Sequence, residues 1–233
     1  MKTSGGNMIK NQLDAVIFDL DGTLVDSMWV WEKVDETFLG QLGIEVPSDM
    51  NKDLEGKSFT ETAIYFKERF KLEMSVEEIK QSWNEMGWEF YTHQVPLKKG
   101  VKEFLEFLSE QGIKMGIATS NSIELVRAVL KALDIERYFG QIRTSCEVGR
   151  GKPFPDIYLK VAEDLQVDPS RCLVFEDIPN GVRAGKNAGM TAWGVLDRQE
   201  AALWEETKDL ADDHITDYHE AINKLKKSPF YRT

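Results

Sequence analysis

Cysteine is scarce in this chain, two residues in 233, and positive charge is in deficit, with 29 lysines and arginines against 40 aspartates and glutamates. Cys146 and Cys172 lie in apolar-flanked segments, and neither has a partner at CxxC spacing. They read as buried thiols of a reducing compartment rather than as a disulfide. A net charge of -11 argues against nucleic acid or an anionic membrane surface as partner. Long apolar runs are missing too, so no stretch is suited to span a membrane. Residues 1–12 are polar and hold no apolar h-region, which sets the expectation of a cytoplasmic protein. None of these deficits excludes a small anionic substrate, because a few cations and free backbone amides can capture phosphate inside an acidic protein.

What is present is a chain long enough to bury a real core, 42% hydrophobic and 30% charged. Short apolar runs predict strands over Ala15–Leu20, Lys114–Thr119, Gln141–Thr144, Cys172–Phe175 and Thr191–Val195, with a sixth at His214–Thr216. Between them, apolar residues at helical spacing predict helices over Val101–Gln111, Ile123–Leu133, Ile157–Leu165 and Val182–Ala188, the last closed by Gly189. Strands alternating with helices imply an α/β fold with a parallel sheet and right-handed crossovers. Residues 27–91 break the alternation. They carry helical patterns over Met28–Leu42, Thr60–Phe70 and Val76–Tyr91 and no strand, which predicts a helical insertion after the first strand. Four of the six tryptophans fall there, Trp29, Trp31, Trp83 and Trp88, and most read as core of a small bundle. Trp29 and Trp31, nearest to a pair of acids, are candidates for substrate contact, together with Lys57, Phe59 and Lys67.

Four polar runs coincide with predicted strand ends, where ligands of open α/β sheets bind. The first is Asp19-Leu20-Asp21-Gly22-Thr23. Alone, an Asp-x-Asp before glycine is ordinary turn chemistry. The second is Thr119-Ser120-Asn121, whose hydroxyls and backbone amides suit a phosphate and would equally serve as a helix cap. The third is Lys152 in the stiff run Gly151-Lys152-Pro153-Phe154-Pro155-Asp156. The fourth is Glu176-Asp177 after Cys172–Phe175. Together the acids form a set of hard oxygen ligands that suits Mg²⁺. A set of four coincidences in sheet order is hard to dismiss as four surface turns.

With these residues in place the chain resembles the haloacid dehalogenase-like hydrolase superfamily. Asp19-Leu20-Asp21-Gly22-Thr23-Leu24-Val25-Asp26-Ser27 is similar to its first motif, Thr119 with Ser120 to its second, Lys152 to its third and Glu176-Asp177 to its fourth. The insertion resembles the helical cap of the subfamily that includes phosphoglycolate phosphatase, β-phosphoglucomutase and pseudouridine-5'-phosphatase. The resemblance implies a Rossmann-like three-layer α/β/α core over residues 1–26 and 94–233, with an inserted α-helical cap over 27–93. It implies Asp19 as nucleophile forming an aspartyl phosphate, and Asp21 as general acid and then general base. Thr119, Ser120, Asn121 and Lys152 would bind the phosphate, while Asp19, Asp21 through its carbonyl, Glu176 and Asp177 would hold Mg²⁺. The expected substrate is a small phosphorylated metabolite, turned over by a monomer. The alternative is a β-phosphoglucomutase-type sugar phosphate mutase. Its cap histidine, aligned on Asp19, falls on Trp31, and its cap arginine, aligned on Gly56-Lys57-Ser58, falls on Phe59. Both departures favour a phosphatase. A non-catalytic protein on the same fold would be expected to lack Asp19, Asp21 or Lys152, and all three are present.

Overall fold

The computed structural model describes residues 13–197 and 201–228. In chain order they form β1 (Ala15–Phe18), α1 (Met28–Gln41), α2 (Met50–Leu54), α3 (Phe59–Arg69), α4 (Val76–His93), α5 (Val101–Glu110), β2 (Lys114–Thr119), α6 (Ile123–Ala132), β3 (Gln141–Thr144), α7 (Asp156–Leu165), β4 (Cys172–Glu176), α8 (Pro179–Asn187), β5 (Thr191–Val195), α9 (Ala201–Leu210), β6 (Asp213–Ile215) and α10 (Tyr218–Lys227). The six strands make one parallel sheet in the order β3-β2-β1-β4-β5-β6. β1 is central, so its alternating side chains feed two cores. Val16 and Phe18 face one, with Phe104, Phe175 and Tyr218. Ala15 and Ile17 face the other, with Ile157, Val161 and Val182. Two apolar faces covered by helices are what a parallel sheet needs, and they make the core a three-layer α/β/α fold as expected.

The helical stretch holds four helices and no strand. α3 and α4 each start with a complete capping box, Ser58 with Glu61 and Ser75 with Glu78. Trp83 at the centre packs on Phe38, Phe59 and Phe66, ring centroids 4.9–5.7 Å away. Two expectations are corrected here. Trp88 lies on the outer face of α4, 50% exposed, and is not bundle core. Cys146 is exposed on a short turn after β3, because Thr144 and Ser145 take the buried positions beside it; Cys172 is buried as read. Helices α2, α9 and α10 are additions to the sequence expectation: α2 has only five residues, α9 buries just Thr207, and α10 buries Tyr218, Ala221 and Leu225. Pro179 at the first turn starts α8 three residues earlier than its apolar pattern suggests. No helix among the described residues is long and apolar enough to cross a membrane.

Candidate active site

The parallel register delivers the acids. Phe18 pairs with Phe175, and one residue further the Asp19 amide donates to the Phe175 carbonyl at 3.0 Å. The side chains of Asp19, Glu176 and Asp177 therefore meet at the carboxyl edge of the sheet. Their ligand oxygens lie within 4.8 Å of one another, and all three residues are buried. Lys152 reaches the same point from the loop before α7. Its Nζ stands 2.6 Å from Asp19 Oδ1 and 2.5 Å from Glu176 Oε1. The Tyr158 hydroxyl, from α7, also donates to Glu176 Oε1. Thr23 Oγ1 donates to Asp177 Oδ1 at 3.2 Å.

Two glycines make room for these carboxylates. A Cβ on Gly22, whose φ is +79°, would fall 2.3 Å from Asp177 Oδ2. One on Gly181 would fall 2.0 Å from the Glu176 carboxylate carbon. The Gly22 turn is braced from outside by Lys98, which donates to the Gly22 and Leu196 carbonyls at 2.6 Å and to Asp197 at 2.8 Å.

Charge in the cluster is unbalanced: three buried carboxylates face one ammonium. Burial pushes the Asp19 carboxyl up to about 8, and the attraction of Lys152 offsets only part of it. Burial, then Asp19 and Glu176, raise Asp177 well above the carboxylate range. Burial works against the Lys152 ammonium, yet Asp19 and Glu176 outweigh it and hold its pKa above the lysine value. Glu176 Oε2 is buried with no hydrogen-bond partner among the described residues. Excess negative charge, hard oxygen donors and an orphaned carboxylate oxygen fit a divalent cation.

Asp21 is placed apart from that cluster. Its Oδ1 accepts from Ser27 Oγ at 2.6 Å and from the Tyr91 hydroxyl, and its Oδ2 accepts from Asn121 Nδ2 at 2.8 Å. Thr119 is buried at the end of β2. Ser120 is half-buried, and its carbonyl accepts from the Phe59 amide at 2.9 Å. The side chain of Asn121 is turned to Asp21 and Tyr91. Among the aromatic candidates, Phe59 is buried, and half-buried Trp31 lies 5.9 Å from its ring and 6.0 Å from that of Tyr91. Trp29 donates its Nε1 to the Asp26 carbonyl and packs on Phe90. Lys67 is spent on the carbonyls of Leu72, Glu73 and Met74, whereas Lys57 is half-buried beside the Gly56 turn.

The helical block is stitched to the loops that carry these groups. Glu61 accepts from the Gly151 amide at 3.1 Å, next to Lys152, and Glu55 accepts from the Asn180 amide at 3.0 Å, at the start of α8. Sequence reading missed Tyr91, Ser27 and Tyr158 as members of the centre. Ser27 lay within the recognised motif, but Tyr91 is 70 residues from Asp21 and reads as one more apolar position of α4.

Residues 13–189 match the family model for haloacid dehalogenase-like hydrolases. Among curated relatives, a phosphorylated carbohydrates phosphatase of Thermotoga maritima is 33% identical over 185 residues, 79% of this chain and 86% of that one. Hexitol phosphatase B of Escherichia coli is 28% identical over 77% of this chain and 82% of its own. Among solved structures, β-phosphoglucomutase of Clostridium difficile superposes with a TM-score of 0.78 over 94% of this chain and 97% of that one, at 22% identity, which speaks for the shared fold alone.

Proposed function

The chain belongs to the haloacid dehalogenase-like hydrolases, and from that premise we propose that it is a Mg²⁺-dependent phosphatase acting on a small phosphomonoester, a sugar phosphate or similar metabolite, through an aspartyl phosphate on Asp19. The observation that carries this reading is the buried junction of Lys152 with Asp19 and Glu176 beside Asp177. Asp19 attacks phosphorus in line as the bond to the leaving oxygen breaks. Asp21 gives that oxygen a proton, then takes one from the water that cleaves the acyl phosphate. Lys152, Thr119 and the backbone at Ser120 and Asn121 bind the equatorial oxygens, where charge spreads in the transition state. Mg²⁺ held by Asp19, the Asp21 carbonyl and Asp177, with Glu176 beside it, would offset repulsion between carboxylate and phosphate and lower the pKa of Asp19.

Residues 27–93 act as a cap that covers the substrate, turning on the segments near 26–28 and 92–100. Trp31 and Phe59 face the substrate's organic part, and Trp29 anchors the start of the cap. The relatives that act on phosphorylated carbohydrates and hexitol phosphates support a sugar phosphate as the substrate. Rings where a mutase would need cations support hydrolysis over intramolecular transfer. We read the enzyme as a cytoplasmic monomer.

The test is a panel of sugar, nucleotide and small-acid phosphates with Mg²⁺, run beside β-glucose 1-phosphate with a bisphosphate primer. Phosphate release should vanish with chelator and with Asp19→Asn. Turnover that survives Asp19→Asn defeats the mechanism, and faster formation of glucose 6-phosphate defeats the phosphatase.

A further inference from the structure

Asp21 is held from two directions. Ser27 comes from its own loop, whereas the Tyr91 hydroxyl comes from α4, the last helix of the helical block. Asn121, at the start of the α6 segment, donates to both Asp21 Oδ2 and the Tyr91 oxygen, at 2.8 and 3.0 Å, and closes a triangle. Tyr91 is 1% exposed, and its ring is fixed by Trp31. A second contact, Ser122 Oγ to Asn84 Oδ1 at 2.6 Å, ties the same two helices two turns earlier. The Asp21 carboxylate is thus held between Asn121, which follows Thr119 and Ser120, and Tyr91, whose ring packs on Trp31.

We propose that Tyr91, steadied by Asn121, is a positioning residue that aims Asp21 at the leaving-group oxygen, so that proton donation is in register only while α4 is docked. This rests on the reading of Asp21 as general acid. In the first half-reaction the Asp19 carboxylate forms the new P–O bond, the ester P–O bond breaks, and the Asp21 proton goes to the departing oxygen. A poor leaving group needs that proton and a good one does not.

The test is kcat/KM for a series of aryl phosphates, from 2,4-dinitrophenyl to phenyl, with Mg²⁺. Wild type, Tyr91→Phe, Asn121→Ala and Asp21→Asn are compared at a temperature where urea titration shows each to be folded. For Tyr91→Phe the ratio of phenyl to dinitrophenyl turnover should fall about tenfold, roughly the loss of one hydrogen bond to a charged group, with the dinitrophenyl rate nearly unchanged. Asn121→Ala should lower the same ratio while slowing every substrate, because Asn121 also belongs to the phosphate-binding loop, and Asp21→Asn should lower the ratio more than either. An equal loss on every substrate would make Tyr91 merely structural and overturn the inference. A Tyr91→Phe profile matching wild type, with Asp21→Asn steep, overturns it alone. A flat Asp21→Asn profile overturns the general-acid reading and the inference with it.

Discussion

On its sheet side the centre presents Asp19, Lys152, Glu176 and Asp177, all buried and ionisable; on its helical side it presents Trp31, Phe59 and Tyr91, all aromatic, backed by Trp83. Asp19, Glu176 and Asp177 are positioned by backbone, at the ends of strands locked in parallel register, and Lys152 by the loop before α7. The aromatic set is positioned by side chains packed ring on ring. Burying charge is costly unless it is paired and hydrogen-bonded, and the sheet side carries more negative charge than Lys152 balances. Ring packing on the helical side is worth about 0.5–1.5 kcal/mol per pair beyond burial. The two walls should therefore answer differently to pH, to metal and to truncation.

The widest separation is expected with pH. A carboxyl whose pKa is raised to about 8 in the folded protein, from 3.8, keeps a proton that the unfolded chain has lost. Stability of the metal-free protein therefore falls as pH rises between those two values. Asp19→Asn, freed of this, should gain on wild type across that window by at most about 1.4 kcal/mol per pH unit, and hold level below it. Urea midpoints of both proteins in chelator are the measurement. Next is Lys152→Met, which leaves three buried carboxylates without a counter-charge. It should cost about 3–5 kcal/mol at neutral pH, and added Mg²⁺ should restore more of its melting temperature than it adds to wild type.

Gly181→Ala should cost about 1–3 kcal/mol by pushing the Glu176 carboxylate aside, and it should blunt the rise in melting temperature that Mg²⁺ gives wild type. Tyr158→Phe removes one donor from Glu176 and should cost about 1 kcal/mol by the same titration. On the ring side, Trp31→Ala should raise KM about two- to tenfold, the worth of one aromatic contact, with kcat nearly unchanged. A fall in kcat with KM unmoved would place Trp31 on the chemical side and erase the distinction between the walls.

The same division governs how much could be read in advance. Asp19, Asp21, Thr119, Lys152, Glu176 and Asp177 stand beside strand ends or in a stiff proline loop, and a short apolar run followed by polar residues announces such a place. Local sequence holds that signal because a parallel strand needs little else to be placed. Tyr91 and Tyr158 are legible only as helix core, since nothing near them in sequence names Asp21 or Glu176 as partner. The exposure of Trp88 and Cys146 escaped for a related reason. Which face of α4 is buried depends on its packing against α6, and Cys146 sits on a turn where its neighbours claim the interior. α9 carries too little buried surface to leave a periodic trace.

The central place of β1 has a consequence for biogenesis. The strand that leads into Asp19 leaves the ribosome before both of its neighbours: it is flanked by β2, which begins at residue 114, and β4, which begins at residue 172. The amide of Asp19 finds its acceptor only once Phe175 has emerged. During synthesis the helical stretch can condense on local contacts while an apolar, unpaired strand waits beside it for distant sequence. Truncated chains that stop before residue 172 should therefore hold a folded helical block and no assembled centre, with Ala15–Phe18 the segment most exposed to aggregation and to chaperones.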